Sequence, residues 1–127
     1  MNILNSTLKR LNLKNLIKPN IQKTKRMIVE ETKDYSIVLF HWKQNQRVPM
    51  HDHEGNCVFK MLSGEMNETR IINGKIQYNV LIDNSIGKLN RGDLHTIIPI
   101  KDSVSIHYYS PSPKKLCPSM EHIKLDL

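Results

Sequence analysis

His51 and His53 stand one residue apart in "PMHDHEGNCVFKMLSG", residues 49–64, with Cys57 four residues after the second histidine and Gly64 seven after the cysteine. On a β-strand, side chains i and i+2 share a face. Read as a strand, the segment sends both imidazoles into whatever the sheet encloses, as two legs of a metal site. A third leg has to come from His41, His95, His107 or His122. His95 is the choice, because it follows "NRGDL" and opens the apolar run "TIIPI", at the mouth of a late strand that a barrel can bring against the first pair.

Such a site needs a β framework, and from residue 27 the sequence supplies one. Short runs rich in branched and aromatic residues follow one another: "MIVEE", "YSIVLFHW", "NCVFKMLS", "NETRII", "KIQYNVLI", "HTIIPI" and "VSIHYYS". Between them lie the turn signals "TKD", "NGK" at 73–75, "DNSIG", "NRGD" and "PSP". The clearest hairpin is "IINGKIQ", since Asn-Gly supplies the positive φ angles of a type I′ turn. Short strands at close spacing with no helical pattern among them predict an all-β antiparallel sandwich or barrel.

Residues 1–26 are different in kind. Ile3, Leu4, Leu8 and Leu11 recur at helical spacing within residues 3–18, and Pro19 stops the pattern, so a short amphipathic N-terminal helix is expected. The net charge of +7 also sits here: Lys9, Arg10, Lys14, Lys18, Lys23, Lys25 and Arg26 occur with no acid. From residue 27 onward basic and acidic side chains balance. A basic amphipathic segment suits packing on the domain, a membrane surface or organelle targeting. Packing is favoured, because a leucine stripe at this spacing ordinarily faces a core. Nucleic-acid binding is not expected, since residues 1–26 contain no aromatic to stack on a base.

A chain of 127 residues suits one domain around one core. Two cysteines, Cys57 and Cys117, are too few for a secreted disulfide framework, and neither a signal peptide nor a membrane-length apolar stretch is apparent. A cytoplasmic protein without membrane association is the expectation. The organisation reads as a basic helical segment at 1–26, a β domain at 27–112 and a C-terminal tail at 113–127 that the pattern does not place.

The order H-x-H, Cys57, Gly64 resembles the first signature of the cupin superfamily, small jelly-roll β-barrels (double-stranded β-helices) that hold a metal between their sheets. Cupins normally carry glutamate where this chain has Cys57. A thiol there resembles the thiol dioxygenases, specifically cysteine dioxygenase. That resemblance runs from about Tyr35 to Pro111: Trp42 nine residues before His51, "HDH", "C..K.L.G...ET" from Cys57 to Thr69, "NSIG" at 84–87 and "SIHYYSP" at 105–111.

The resemblance implies a mononuclear Fe(II) held by His51, His53 and His95, a small-molecule thiol and O2 as reactants, and oxidation of L-cysteine to its sulfinic acid. Three neutral ligands leave room for an anionic thiolate. Ser105, His107 and Tyr109 match an alternating relay on one strand face, and Cys57 with Tyr109 matches the pair that a thioether joins in animal-type members. Tyr108 then points outward, and Trp42 is read as a packing anchor. Arg26 is the positional match for the arginine that grips the substrate carboxylate. The family carries a longer helical N-terminal portion, which here leaves one pocket wall open or supplied by a partner chain. Two alternatives stay open: a dioxygenase of N-terminal cysteine in peptides or of cysteamine, and a non-catalytic cupin that only binds. The sequence leaves monomer or homo-oligomer undecided.

Overall fold

The computed structural model describes residues 2–11, 21–114, 117 and 120–124. Helix α1 (Asn2–Arg10) precedes β1 (Lys25–Glu31), β2 (Ser36–Trp42), β3 (Val48–His51), β4 (Asn56–Ser63), β5 (Glu65–Ile72), β6 (Lys75–Ile82), β7 (Ile86–Leu89), β8 (Leu94–Pro99), β9 (Ser103–Ser110) and β10 (Glu121–Lys124). Two sheets face each other, one six-stranded in the order β10-β1-β2-β9-β4-β7 and one four-stranded in the order β3-β8-β5-β6. This is the sandwich that the strand pattern predicts, in the jelly-roll form that the resemblance implies.

Strand β2 is buried along its whole length, and strict alternation explains how. Val38, Phe40 and Trp42 enter the core between the sheets, where they meet Phe59, Met61, Met66, Leu81 and Ile97. Ile37 and Leu39 face the other way, into a second cluster with Val104 and Ile106 of β9. That outer cluster is closed by Leu4 of α1 and Leu11 just after it, both buried, with Leu8 packed alongside. Removing a leucine or isoleucine side chain from water contributes roughly 1.5–3 kcal/mol. The leucine stripe is therefore spent on the outside of the six-stranded sheet, and an exposed ion pair, Arg10 to Glu30 at 3.3 Å, ties the last helical turn to β1. Ile3, counted in the stripe, is 43% exposed and lies off the packed face. The remainder of the expected helix, residues 12–18, and Pro19 lie outside the described residues.

The Asn-Gly hairpin forms as expected between β5 and β6, with φ of 52° at Asn73 and 74° at Gly74. Three elements differ from the sequence expectation. "SIG", read as part of a turn, opens β7: the turn closes by Ser85, whose amide donates to the Ile82 carbonyl at 3.0 Å, and Ile86 then pairs with Lys60. The tail supplies β10, which runs parallel to β1 with Arg26 opposite His122. Strand β3 ends at His51, so His53 lies two residues beyond the strand rather than on it. Among the described residues, no helix is long and apolar enough to cross a membrane.

Candidate metal centre and its cavity

His51 closes β3 directly opposite His95 of β8, beyond an irregularity in the pairing that follows Val48. His53 then turns its ring onto the same point. The ring centroids of the three imidazoles lie 4.5 to 5.1 Å apart, and their nitrogens fall within 4.8 Å of one another. His41 and His122 take no part in this group. His107 stands on β9 of the six-stranded sheet and has other partners.

Hydrogen bonds set the tautomers of two of the rings. His51 Nδ1 lies 2.8 Å from the Pro49 carbonyl, which only accepts, so Nδ1 carries the proton and Nε2 the lone pair. His95 Nδ1 lies 2.8 Å from Glu68 Oε2, with the same result. The two Nε2 atoms then face each other at 3.0 Å, two lone pairs that need a cation between them. His53 Nδ1 is buried with no hydrogen-bond partner among the described residues. Burial holds His53 in the neutral form, its pKa lowered to about 4, and the neighbouring His95 and His51 push it the same way. Burial also lowers His51, again with help from His95. Neutral imidazoles with converging lone pairs are the ligand-ready state for a divalent transition metal.

Glu68, which the sequence reading quoted in a motif without a role, anchors this centre. Its side chain is fully buried, and while Oε2 holds His95, Oε1 accepts from Arg70 Nε at 2.7 Å and from Asn79 Nδ2 at 3.1 Å. Arg70 also donates to the Lys88 carbonyl at 2.7 Å. Burial raises the Glu68 carboxyl pKa, but the bonds from His95 and Arg70 prevail and hold it below the ordinary carboxylate value. The available signal was the spacing of Glu68 and Arg70, two apart on one strand and therefore on one face.

Ser105, His107 and Tyr109 share the inward face of β9, as alternation requires. Trp42 Nε1 donates to Ser105 Oγ at 2.7 Å, and Ser105 Oγ lies 2.7 Å from His107 Nε2. Ser105 Oγ thus keeps its own proton and one lone pair for His107 Nε2, and His107 Nδ1 lies 3.4 Å from Tyr109 Oη and 3.7 Å from Cys57 Sγ. Burial pushes His107 well below its ordinary pKa, consistent with a neutral ring. Trp42 packs, stacked on Phe40 with centroids 4.6 Å apart, and also supplies the first donor of this chain. Cys57 and Tyr109 are direct partners across β4 and β9, and burial raises both thiol and phenol. The Tyr109 ring is 5.6 Å from that of His53. Tyr108 points to the opposite side and stacks on Tyr35.

His51, His53, His95, His107, Tyr109 and Cys57 line one cavity of about 460 Å³, within the range of small-ligand sites. Arg26 lines it from β1. It is 5% exposed, and its Nη1 is buried without a hydrogen-bond partner among the described residues. Leaving a guanidinium N–H unmatched in a dry site is costly. Pro113, Cys117 and Met120 of the C-terminal tail form another part of the lining.

The same arrangement of sheets recurs in solved proteins. A cupin superfamily protein from Desulfitobacterium hafniense superposes with a TM-score of 0.69 at 18% identity, over 79% of this chain and 88% of that one. A double-stranded β-helix protein from Klebsiella pneumoniae gives 0.63 at 20% identity, over 80% and 88%. The chain has the cupin fold. The Fe(II) form of HppE, with an alternative substrate bound, gives 0.59 at 13% identity, over 73% of this chain and 52% of that one. No protein-family model and no curated protein matches this sequence.

Proposed function

We propose that this cupin is an iron(II)-dependent thiol dioxygenase that oxidises free L-cysteine to cysteine sulfinic acid. The observation that carries the reading is the buried Arg26 side chain, its Nη1 without a hydrogen-bond partner among the described residues, in the same cavity as three converging histidines. A small carboxylate-bearing ligand of a metal would satisfy both at once. The iron-containing HppE is a fold neighbour that supports the choice of metal.

His51, His53 and His95 would hold the iron(II), which would supply the activation of thiol and dioxygen for RSH + O2 → RSO2H, a balance that needs no external reductant. The chain's own residues do the rest. Arg26 grips the carboxylate and fixes how the amino acid lies in the cavity. Glu68 keeps the His95 lone pair turned inward. Trp42, Ser105 and His107 hold one another in place through hydrogen bonds, beside the Tyr109 hydroxyl and the Cys57 thiol at the cavity wall. Phe40, Leu89, Ile97 and Met120 line the remainder and exclude water from the reacting sulfur.

Oxygen uptake by the iron(II)-loaded protein tests the reading, with free cysteine, cysteamine and a Cys-initiated peptide in parallel. Uptake with free cysteine and a sulfinic acid product is expected. Uptake with only the amine or the peptide would assign the site to amine or peptide thiols and leave Arg26 unexplained. No uptake with iron shown to be bound would leave a cupin that binds without catalysis.

A further inference from the structure

The three histidines are not held alike. His51 and His95 lie on strands, and each has its Nδ1 engaged, one by the Pro49 carbonyl and the other by Glu68. A histidine that binds a metal ordinarily has such an outer partner, which fixes the ring. His53 has neither support. It falls between β3 and β4, and its Nδ1 has no hydrogen-bond partner among the described residues. Its ring packs against those of His51, His95 and Tyr109, contacts less directional than a hydrogen bond to nitrogen.

What holds His53 is its main chain. The segment 53–56 is latched at both ends onto the turn between β7 and β8: the Gly92 amide donates to the His53 carbonyl at 3.3 Å, and the Arg91 amide donates to Asn56 Oδ1 at 3.0 Å. The turn is itself closed twice, by the Asp93 amide on the Asn90 carbonyl at 3.0 Å and the Asn90 amide on Asp93 Oδ2 at 2.9 Å. Gly92 has a φ of 84°, and a Cβ there would meet nothing, so conformation and not space calls for glycine. Leu89, just before the turn, pairs with Cys57, and His95 stands two residues after Asp93. One short turn thus grips the segment that carries one ligand and leads directly into another. On the reading of the three histidines as metal ligands, we infer that Asn56 is a positioning residue of the metal centre. By accepting from the Arg91 amide it keeps the segment on the turn, and His53 at the point where His51 and His95 converge. Asn56 is exposed, so its replacement removes no core packing. A bond of the same kind, from the Gly64 amide to exposed Asp83 at 2.7 Å, closes the far end of β4 and serves as its control.

Cobalt(II) binding to the full chain, followed by chelator competition and by the visible spectrum of the bound ion, tests this alongside the melting temperature of the apoprotein. Asn56→Ala should bind on the order of fivefold more weakly, the loss that one net hydrogen bond allows, with an altered cobalt spectrum. Asn56→Asp keeps the acceptor oxygen and should restore both the affinity and the wild-type spectrum. Asp83→Ala should lower the melting temperature and leave cobalt affinity and spectrum as in the wild type. Wild-type affinity in Asn56→Ala, no recovery in Asn56→Asp, or an equal loss of affinity in Asp83→Ala would each overturn the role of Asn56. His95→Ala separates the two levels. If it binds cobalt as the wild type does, the histidines are not the ligands and the underlying reading fails; if it binds far more weakly while Asn56→Ala does not, the latch alone is refuted.

Discussion

His51 and His95 face each other across β3 and β8 with their Nε2 atoms 3.0 Å apart and their Nδ1 protons committed elsewhere. Two opposed lone pairs destabilise the empty site, and a cation between them reverses the sign. Saturating iron(II) at about 100 times its dissociation constant should add about 2.7 kcal/mol, on the order of 10 °C in melting temperature. Differential scanning fluorimetry under nitrogen checks this, and His95→Ala should abolish the shift.

Glu68 makes a second prediction that separates folding from metal binding. Glu68→Gln leaves the Arg70 charge buried and uncompensated, at a cost of about 3–5 kcal/mol. Adding Arg70→Met should recover most of that stability. Metal affinity, measured by competition with a chromogenic chelator, should remain about 10- to 100-fold weaker in the double variant, because the His95 ring has lost its anionic partner. Full recovery of affinity would show that Glu68 serves only Arg70.

Arg26 should behave unlike an ordinary buried arginine. Its Nη1 has no hydrogen-bond partner among the described residues, so Arg26→Met should cost little stability, or even stabilise the apoprotein. The same change should raise KM for cysteine by on the order of 100-fold, the loss of a charge-assisted pair worth about 3 kcal/mol, and leave cysteamine turnover unaffected. Steady-state oxygen consumption with both thiols measures the difference. Equal effects on the two substrates would remove Arg26 from carboxylate binding.

The same geometry predicts the acid response of the apoprotein. His53 takes up a proton at about pH 4 in the folded state but near 6.5 when unfolded, and His51 is displaced in the same direction. The unfolded chain therefore binds more protons between those values, and stability should fall as pH drops from 6.5 toward 4. Glu68, lowered when folded, extends the loss to still lower pH. A chelator-treated melting series against pH should show this decline, and a flat profile across the interval would contradict the buried neutral assignment.

Where the sequence carried the answer, a local rule was at work. The bounds of β4 and β6 follow from alternation, and Asn73-Gly74 adopts the angles that its residue types favour. Ser105, His107 and Tyr109 share a face for the same reason. What escaped is non-local. Strand β10 exists because "EHIK" finds an open edge on β1, a contact nearly a hundred residues away in the chain. Strand β7 is a four-residue piece recruited by β4 beside a turn whose signal overran it. Glu68 has its meaning only once β5 lies against β8, bringing it to a histidine 27 positions later. Trp42 was legible as bulk but not as a donor, since its partner Ser105 is 63 residues on.

Pro113, Cys117 and Met120 reach the cavity from the far end of the chain, whereas the three histidines, Arg26 and the Ser105–His107 pair come from residues 26–107. The grouped polar side chains and part of the wall beside them thus reside in separable stretches of chain. Substitution at Pro113 can reshape that wall without touching any of the three histidines, although Met120 is tied to the core between the sheets.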